Sequence, residues 1–315
     1  MADDYILEVK NLCQHFSSGR GKKKMVVKAV DDVSFSVRRA ETFGLVGESG
    51  CGKTTTGRTI IRLYDPTGGE VLFDGKPISG KMDKELRNYL TSNISMIFQD
   101  PIESLNPKMT IEEIVGEGLK VRGQKDPEEI RQKVVEMLAK VGLVEEHATR
   151  YPHEFSGGQR QRIGIARAII INPKMVIADE PVSALDVSVQ AQVINLLNDL
   201  KEEMGLTILF IAHNLSVVKY FSDRIGVMYY GHLVEVANGD DLYAKPLHPY
   251  TRALLSAIPE PNPLTERTRV RIDYVPERDH DYSVEKPSME EVEPGHFVYC
   301  SPSELKKYRE IVKDA

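Results

Sequence analysis

A glycine-rich stretch between an apolar run and a helix-forming run constrains this chain more than any other feature. The apolar residues Phe43–Val46 predict a buried strand, and the spacing Gly47-x4-Gly52-Lys53-Thr54 matches a phosphate-binding loop. Glycines let backbone N–H groups curl around an anion, and the start of the following helix adds partial positive charge. In such a loop the lysine reaches the β- and γ-phosphates and the threonine hydroxyl can bind Mg2+. The stretch therefore predicts nucleotide binding, in preference to an ordinary glycine turn before a helix.

The composition is that of a globular protein, and the net charge argues against a nucleic-acid-binding protein. The chain has 315 residues, of which 41% are hydrophobic and 28% charged, as is ordinary for a soluble globular protein of one large domain or two modest ones. The net charge of −6 argues against a nucleic-acid-binding surface spread over the whole chain. A short basic run at residues 19–24 is more typical of a solvated turn than of a nucleic-acid patch. We therefore expect no nucleic-acid partner.

The chain carries no pattern typical of export or of membrane insertion. Residues 1–4 are acidic and lack the basic and apolar regions of a signal peptide. The best candidate for a membrane span, Leu206–Ala212, is far shorter than the about 18 apolar residues that a span requires. Three widely spaced cysteines, Cys13, Cys51 and Cys300, give no disulfide framework. The expected compartment is the cytosol.

Short apolar stretches predict strands on the N-terminal side of the glycine loop. Tyr5–Val9 alternates loosely, and Val26–Val37 is expected to form two strands around an Asp-Asp pair, in an antiparallel sheet beside the nucleotide strand. Phe16 could stack on a purine ring or be an ordinary core side chain, and the residues alone favour neither interpretation.

The region from about Pro101 to His153 changes character and predicts helices. Ile111–Val121 and Pro127–Val141 show helical spacing. The apolar face of the second segment comprises Ile130, Val134, Met137, Leu138 and Val141. This region is expected to be a helical subdomain inserted into the nucleotide fold.

A second glycine-containing turn follows, about 100 residues after the first. Phe155-Ser156-Gly157-Gly158-Gln159 runs into a predicted helix, Ile163–Ile171. A serine and two glycines at a helix start can form a second anion site. The alternative is an N-cap with a flexible entry, as in many helices.

Two carboxylates end a central apolar strand. Met175-Val176-Ile177-Ala178 leads directly into Asp179 and Glu180, whose side chains point in opposite directions on a strand. Asp179 could hold Mg2+, and Glu180 could act as the general base toward the attacking water. His213 follows the predicted strand Leu206–Ala212 and could reach a γ-phosphate, although a lone histidine after a strand is usually structural.

The C-terminal part is expected to close the sheet and then to lose regular structure. Ile225–Tyr229 and His232–Val236 predict closing strands, and Asp240–Tyr243 begins a helix. From Pro259 onward the sequence is rich in proline and charge and poor in periodicity, which predicts an extended, partly disordered tail on a surface.

This ordered set of motifs resembles the ATP-binding subunits of ATP-binding-cassette (ABC) transporters, over roughly residues 5–260. The features that carry the resemblance are the phosphate loop, Gln99, the segment Phe155–Gln159, the acid pair Asp179-Glu180, the turn Ser183-Ala184-Leu185-Asp186, and His213. Three further segments resemble the oligopeptide/dipeptide importer branch of that family: Gln99-Asp100-Pro101-x3-Leu105-Asn106-Pro107, His248–Leu255, and Gly295-His296-Phe297-Val298-x-Cys300.

The resemblance implies a fold and a domain organisation. The expected fold is α/β, a P-loop NTPase core with an antiparallel β subdomain, an inserted α-helical subdomain and a C-terminal extension. Residues 1–258 would form the ATPase domain, with the helical subdomain at about 100–155, and residues 259–315 would form the extension.

The same resemblance assigns site residues. The implied catalytic residues are Glu180, His213, Gln99 and Lys53. The implied nucleotide-binding residues are Phe16, Gly47, Glu48, Ser49, Gly50, Cys51, Gly52, Lys53, Thr54 and Thr55, joined in trans by Ser156, Gly157, Gly158 and Gln159 of a second cassette. The implied Mg2+ ligands or organisers are Thr54, Gln99 and Asp179. Cys51 is interpreted as tolerated packing within the loop.

The resemblance also implies partners and cofactors. ATP and Mg2+ are expected, and a sister ATPase subunit, two membrane-spanning permease subunits that dock on the helical subdomain, and an extracytoplasmic solute-binding protein would complete the transporter. The subunit would lie at the cytoplasmic face of the cell membrane and power peptide import. Some members of the branch hold an iron–sulfur cluster in the extension, but a lone Cys300 cannot supply about four ligands, so no cluster is expected.

Two other functions remain open at this point. The cargo could be nickel or an oligosaccharide, because the ATPase subunit does not touch the solute. A soluble, non-transport ABC ATPase is the remote alternative; such proteins usually carry a long coiled coil or two cassettes in one chain, and neither is found in this sequence.

Overall fold

The computed structural model describes residues 4–19, 25–259 and 269–313. Residues 1–3, most of the basic run (20–24) and the first part of the predicted tail (260–268) lie outside the described residues. In chain order, the helices and strands are β1 (Tyr5–Ser18), β2 (Met25–Arg38), β3 (Thr42–Val46), α1 (Lys53–Ile60), β4 (Gly68–Phe73), β5 (Lys76–Pro77), α2 (Lys84–Asn93), β6 (Ile94–Ile97), α3 (Pro101–Ser104), α4 (Ile111–Val121), α5 (Pro127–Lys140), two 3-10 turns (Glu145–His147 and Pro152–Glu154), α6 (Gly157–Ile169), β7 (Met175–Asp179), α7 (Val187–Met204), β8 (Thr207–Ala212), α8 (Leu215–Phe221), β9 (Arg224–Tyr229), β10 (His232–Asn238), α9 (Gly239–Ala244), α10 (Pro249–Ser256), α11 (Pro276–Asp279), β11 (Ser288–Glu293), β12 (His296–Cys300) and α12 (Pro302–Lys313).

These elements divide between two compact units, each built from several chain segments. The first unit comprises Met1–Ile6, Val37–Glu41 and Phe73–Ile211, and the second comprises Leu7–Ser36, Thr42–Leu72 and Ala212–Ala315.

Parallel strands form the sheet of the first unit. β7 pairs in parallel with β6 and with β8, in a register that places Ile97 opposite Ala178 and Asp179 opposite Ile211. Every residue of β7 and β8 is buried, which explains why both strands are continuous apolar runs in the sequence. Because the strands are parallel, the residues that follow them lie along the same edge of the sheet.

Helices make up much of the rest of the first unit. Thr110 begins α4 with a capping box to Glu113, and Asp126 caps α5 immediately before Pro127. α4 packs against α5 and α6. The five residues of the predicted apolar face, four on α5 and Val141 at its C-cap, are all buried. None of the helices in the described ranges is long and apolar enough to cross a membrane.

The second unit contains a mixed sheet and strands of a smaller sheet. β3 pairs in parallel with β9, and β9, β10, β12 and β11 continue as antiparallel neighbours. The smaller sheet has the strand order β2-β1-β4. The prediction of two strands within Val26–Val37 is wrong, because Met25–Arg38 is one strand. Asp32 adopts a φ of +59°, and its carboxylate accepts a hydrogen bond of 2.7 Å from the Asn11 side chain, so the strand bends there without ending.

The prediction of an extended tail is also wrong for much of residues 276–313, although residues 269–275 have no regular structure. Here β11 and β12 form a hairpin, β12 pairs with β10, and α12 follows. Val298, Cys300 and Tyr308 pack with Leu247 in a buried cluster, so the extension docks on its own chain. Its apolar residues are few and are separated by charged residues, which hid this core from the periodicity of the sequence.

Candidate active site

The glycine loop closes tightly after β3. Gly47 and Gly52 have φ of +150° and +112°, a region that disfavours residues with side chains. A Cβ atom at Gly47 would lie 2.2 Å from the carbonyl oxygen of Met228, and one at Gly52 would lie 2.2 Å from that of Ala29. The two glycines therefore let the loop approach the neighbouring backbone so closely that no other residue fits there.

Lys53 begins α1 and turns its side chain back into the loop. Its side chain is almost fully buried, and Nζ donates to the carbonyl oxygens of Gly47 at 2.7 Å and Glu48 at 2.9 Å. A buried ammonium needs such partners, because isolated charges are costly to remove from water. The loop thus holds a positive charge and a ring of backbone groups around it, while Glu48, Ser49 and Gly50 form its exposed tip.

The remaining loop residues pack within the second unit, to which the loop itself belongs. The Cys51 carbonyl accepts a hydrogen bond of 2.9 Å from the Gly231 N–H. Burial raises the pKa of the Cys51 thiol even though the Lys53 charge opposes this shift. These observations support the interpretation of Cys51 as packing. Thr54 and Thr55 lie half-buried in the first turn of α1.

Two further predicted residues belong to the second unit. Phe16, on β1, is 39% exposed and makes an edge-to-face contact with Tyr64 at 5.3 Å between ring centroids. It is therefore not a fully buried core residue, and its role as an adenine platform stays a prediction. His213 is exposed; it follows β8 and precedes Asn214, the N-cap of α8.

The acid pair lies at the carboxyl end of β7 in the first unit. Asp179 is fully buried, whereas Glu180 is half-buried with a φ of +46°. Non-glycine residues in this region are strained and persist where the surroundings hold them. Here the Glu180 N–H donates to Ile211 O at 2.9 Å, and the Glu180 carbonyl accepts from the Ser183 N–H at 3.2 Å. The backbone thus fixes the point at which Glu180 leaves the strand.

The structure brings Gln99 and Glu180 together. Gln99 Nε2 donates to Glu180 Oε2 at 3.0 Å, although the residues are 81 positions apart. Gln99 follows β6 and Glu180 follows β7, so the parallel pairing of these strands accounts for the contact. An amide and a carboxylate that are joined at the edge of a parallel sheet lie where ligands bind in such folds.

The second glycine turn forms a complete helix cap. Ser156 Oγ accepts from the Gln159 N–H at 3.3 Å, and Gln159 Oε1 accepts from the Ser156 N–H at 3.0 Å. A Cβ at Gly158 would lie 2.5 Å from the Val189 side chain on α7, so the absence of a side chain at Gly158 allows α7 to pack close to the turn. The N-cap interpretation is confirmed, and the anion-binding interpretation stays a prediction.

One residue that contacts the loop was missed by the sequence reasoning. Tyr250, on α10, is 3% exposed, and its hydroxyl oxygen accepts a hydrogen bond of 3.2 Å from the Glu48 N–H. The only signal was its place in the segment His248–Leu255, which indicated a family branch and no role.

The lone cysteine of the extension lies in an apolar setting. Cys300 is buried, and burial raises the pKa of its thiol to about 12. A thiolate, the form that binds iron, is therefore disfavoured at this position. The expected absence of an iron–sulfur cluster stays a prediction.

Comparison with known proteins identifies the family. The family described as "ABC transporter" matches residues 30–183, and that described as "Oligopeptide/dipeptide transporter, C-terminal region" matches residues 234–283. The oligopeptide transport ATP-binding protein OppF of Bacillus subtilis is 57% identical over 304 residues, covering 96% of this chain and 98% of its own. The dipeptide transport ATP-binding protein DppF of Lactococcus lactis is 52% identical over 307 residues, covering 96% of each chain. A dimeric structure of the bacterial ABC transporter cassette MJ0796 superposes with a TM-score of 0.67 at 32% identity, covering 74% of this chain and 98% of that one. These matches confirm the resemblance and the fold class expected from the sequence: the chain belongs to the ABC transporter family and is an ATP-binding subunit of its oligopeptide/dipeptide branch.

Proposed function

We propose that this chain hydrolyses ATP to drive the import of oligopeptides or dipeptides through separate membrane-spanning subunits. Membership of the ABC ATPase family supports ATP hydrolysis. The peptide cargo rests on the names of relatives at 52–57% identity that align along 96% of the chain. Within the chain, the observation that best supports a hydrolytic role is the hydrogen bond between Gln99 and Glu180 at the edge of the parallel sheet.

The glycine loop has the properties of a triphosphate site. The N–H groups of residues 49–55 would surround the phosphates, and the loop has no room for a Cβ at Gly47 or Gly52. We infer that Lys53 Nζ exchanges its two carbonyl partners for the β- and γ-phosphate oxygens when ATP binds. This exchange keeps the ammonium satisfied while it neutralises the nucleotide. Phe16 would stack on the adenine, and His213 would contact the γ-phosphate.

The predicted ligands suit magnesium. The Thr54 hydroxyl, the Gln99 amide and the Asp179 carboxylate are all hard oxygen donors, the kind that Mg2+ prefers. Bound Mg2+ would neutralise charge on the β- and γ-phosphates. Asp179 is fully buried at the strand end, so its carboxylate is held in place before any ligand arrives.

Glu180 is the proposed general base. Its fixed backbone and its hydrogen bond to Gln99 orient the carboxylate, which would polarise the water that attacks the γ-phosphate. Gln99 would report the state of the γ-phosphate to the helices that follow it, because α3 begins two residues later.

The substitution Glu180→Gln, which replaces one carboxylate oxygen by an amide nitrogen, tests the general-base role of Glu180. Glu180→Gln should reduce ATP turnover by about 100- to 1,000-fold, because one stabilising group is removed, and should leave ATP binding intact and trap a nucleotide-bound dimer. Glu202→Gln, on the exposed surface of α7, is the matched control and should turn over normally. Normal hydrolysis by Glu180→Gln in the presence of its partner subunits would disprove the general-base role.

The assembly would contain two cassettes. The solved structure of the related cassette MJ0796 is dimeric, which supports a head-to-tail pair in which Ser156, Gly157, Gly158 and Gln159 of one cassette face the ATP held by the other. The second cassette would be a sister subunit, and both would sit at the cytoplasmic face of the membrane on two permease subunits fed by a solute-binding protein. The helices around residues 100–155 would dock on the permease.

Isolation of the intact transporter tests the cargo. Affinity purification of the chain from native membranes should recover permease subunits and an extracytoplasmic binding protein that carries peptides. Recovery of a binding protein loaded with nickel or an oligosaccharide would contradict peptide import while leaving the ATPase role intact. Recovery of nucleic acid and no membrane protein would overturn the transport function altogether.

A further inference from the structure

A cluster of metal-ligating side chains lies on the smaller sheet of the second unit. Cys13 and His15 are two residues apart on β1 and therefore share a face, and Asp31 lies on the neighbouring strand β2. One ligand atom from each of these three residues lies within 4.8 Å of the others, and all three residues are half-buried. None of them has a task in the proposed ATPase reaction.

Two contacts already orient these ligands. His15 Nε2 lies 2.9 Å from Asp31 Oδ1, and the backbone N–H of Asp32 donates to Cys13 Sγ at 3.4 Å. Ligand atoms around a tetrahedral Zn2+ lie about 3.3–3.8 Å apart, given bond lengths of about 2.0–2.3 Å. A shift of about 1 Å would therefore close the three groups around one ion. The Asp32 N–H would remain as a hydrogen bond to the metal-bound sulfur.

His232, at the start of β10, can supply a fourth ligand. Its Nε2 lies 3.8 Å from Asp31 Oδ2, and its ring stacks on Tyr299 at 6.0 Å. The neighbouring backbone is fixed, because the Asp31 N–H donates to Gly231 O at 2.9 Å. The histidine is thus held beside the cluster by the fold.

The Lys28 ammonium binds the Asp31 carboxylate and would compete with a metal ion for it. Lys28 Nζ lies 2.9 Å from Asp31 Oδ2, and the Lys28 side chain is 60% exposed. Because the Lys28 side chain is mostly exposed, its ammonium can move into water when another cation binds Asp31.

We propose that Cys13, His15, Asp31 and His232 form a binding site for a borderline-soft divalent cation of the Zn2+ type. A thiolate, two imidazoles and a carboxylate suit Zn2+, whereas Mg2+ and Ca2+ require oxygen ligands. Binding would release the thiol proton of Cys13 to solvent and displace the Lys28 ammonium from Asp31. The site is separate from the Mg2+ ligands assigned to the ATPase reaction.

Cobalt titration of the full chain tests the proposal directly. Co2+ should bind in a 1:1 ratio and give both a sulfur-to-cobalt charge-transfer band and the intense visible bands of tetrahedral cobalt, and one equivalent of Zn2+ should remove them. Cys13→Ser should lose the charge-transfer band. It should also weaken Zn2+ binding by at least about 10- to 100-fold, because loss of a mere hydrogen-bond partner of a metal ligand already costs that much. Cys300→Ser removes a buried thiol remote from β1 in sequence and should leave both signals unchanged.

A second variant is expected to bind Zn2+ more tightly than the wild type, a result that misfolding would not produce. Lys28→Met removes the competing ammonium and should tighten Zn2+ binding by about 2- to 5-fold, the range of an exposed ion pair. Absence of a sulfur band in the wild-type chain, or its persistence in a Cys13→Ser variant with native circular dichroism, would overturn the proposal. Unchanged Zn2+ affinity in Lys28→Met would overturn the participation of Asp31.

Discussion

Tyr250→Phe removes a single oxygen atom that connects α10 to the phosphate loop. The Tyr250 hydroxyl accepts the Glu48 N–H at 3.2 Å, and its ring packs on Tyr229 at 4.5 Å between centroids. Burial raises the pKa of Tyr250 well above its ordinary value, so the hydroxyl is neutral across the working range of pH. Phenylalanine keeps the ring contacts, so the substitution isolates the hydrogen bond.

The expected magnitude follows from the kind of bond that is lost. A neutral hydrogen bond in a protein contributes about 0.5–1.5 kcal/mol. The Glu48 N–H belongs to the loop that would hold the phosphates, so losing the bond frees the loop to leave its binding conformation. If the whole loss falls on that conformation, the Kd for ATP rises by about 2- to 13-fold.

Binding of a fluorescent ATP analogue to the purified chain, with Mg2+ present, measures this change. Tyr230→Phe is the matched control, because Tyr230 is 73% exposed and adjoins Tyr229. The control should bind as the wild type does. Unchanged ATP affinity in Tyr250→Phe, together with a reduced free energy of unfolding, would refute the argument, since the hydroxyl would then stabilise the fold without shaping the loop.

Three other outcomes follow from buried contacts. Burial pushes the pKa of His296 down, but hydrogen bonds and charges from Glu235 and Glu293 outweigh this and raise it; its stabilising contribution is therefore complete below about pH 6.5 and is lost as pH rises through the raised pKa. The difference in free energy of unfolding between wild type and His296→Gln should accordingly shrink in urea titrations at higher pH, and a difference that grows would contradict this sign. Burial lowers the pKa of His248 to about 3; stability should therefore fall between about pH 6.5 and pH 3, and His248→Asn, which can still cap α10, should flatten that loss. Gly158→Ala should cost about 1–3 kcal/mol through overpacking, whereas Gly164→Ala in the same helix meets no atom within 4 Å and should be neutral or stabilising; equal unfolding midpoints for the two variants would contradict the packing argument.

Local patterns in the sequence were enough to predict the glycine loop, the strand before the acid pair and the buried face of α5. The glycine spacing from Gly47 to Gly52 requires positive φ values, and the structure shows them. The apolar run before Asp179 is a buried parallel strand, as predicted. The helical face of α5 is buried for the same reason, because its spacing of three and four residues is recorded directly in the sequence.

Contacts between distant residues could not be predicted in this way. Tyr250 lies 202 residues from Glu48, and no periodicity links a tyrosine on a late helix to a loop near the start of the chain. Gln99 and Glu180 were each singled out, but their hydrogen bond depends on β6 and β7 being neighbours in the sheet. The bend at Asp32 was interpreted as a break because an Asp-Asp pair interrupts the apolar alternation, whereas the partner strand supplies the amide that keeps it in the sheet.

The extension shows most clearly why composition misled the prediction. A hairpin such as β11–β12 is marginal by itself, and β11 carries three glutamates and no buried residue. One carboxylate helps to fix it. Glu235 is fully buried on β10 and accepts from the N–H groups of Leu247 at 2.8 Å and His248 at 3.0 Å, and its Oε1 also lies 2.8 Å from His296 Nε2. A buried carboxylate with these three partners favours one arrangement, since a shift of β12 would take the His296 ring away from it. The extension is therefore ordered by this polar cluster together with the apolar packing of Val298, Cys300 and Tyr308 on Leu247. Both depend on β10 and β12 lying side by side, which the periodicity of the sequence does not record.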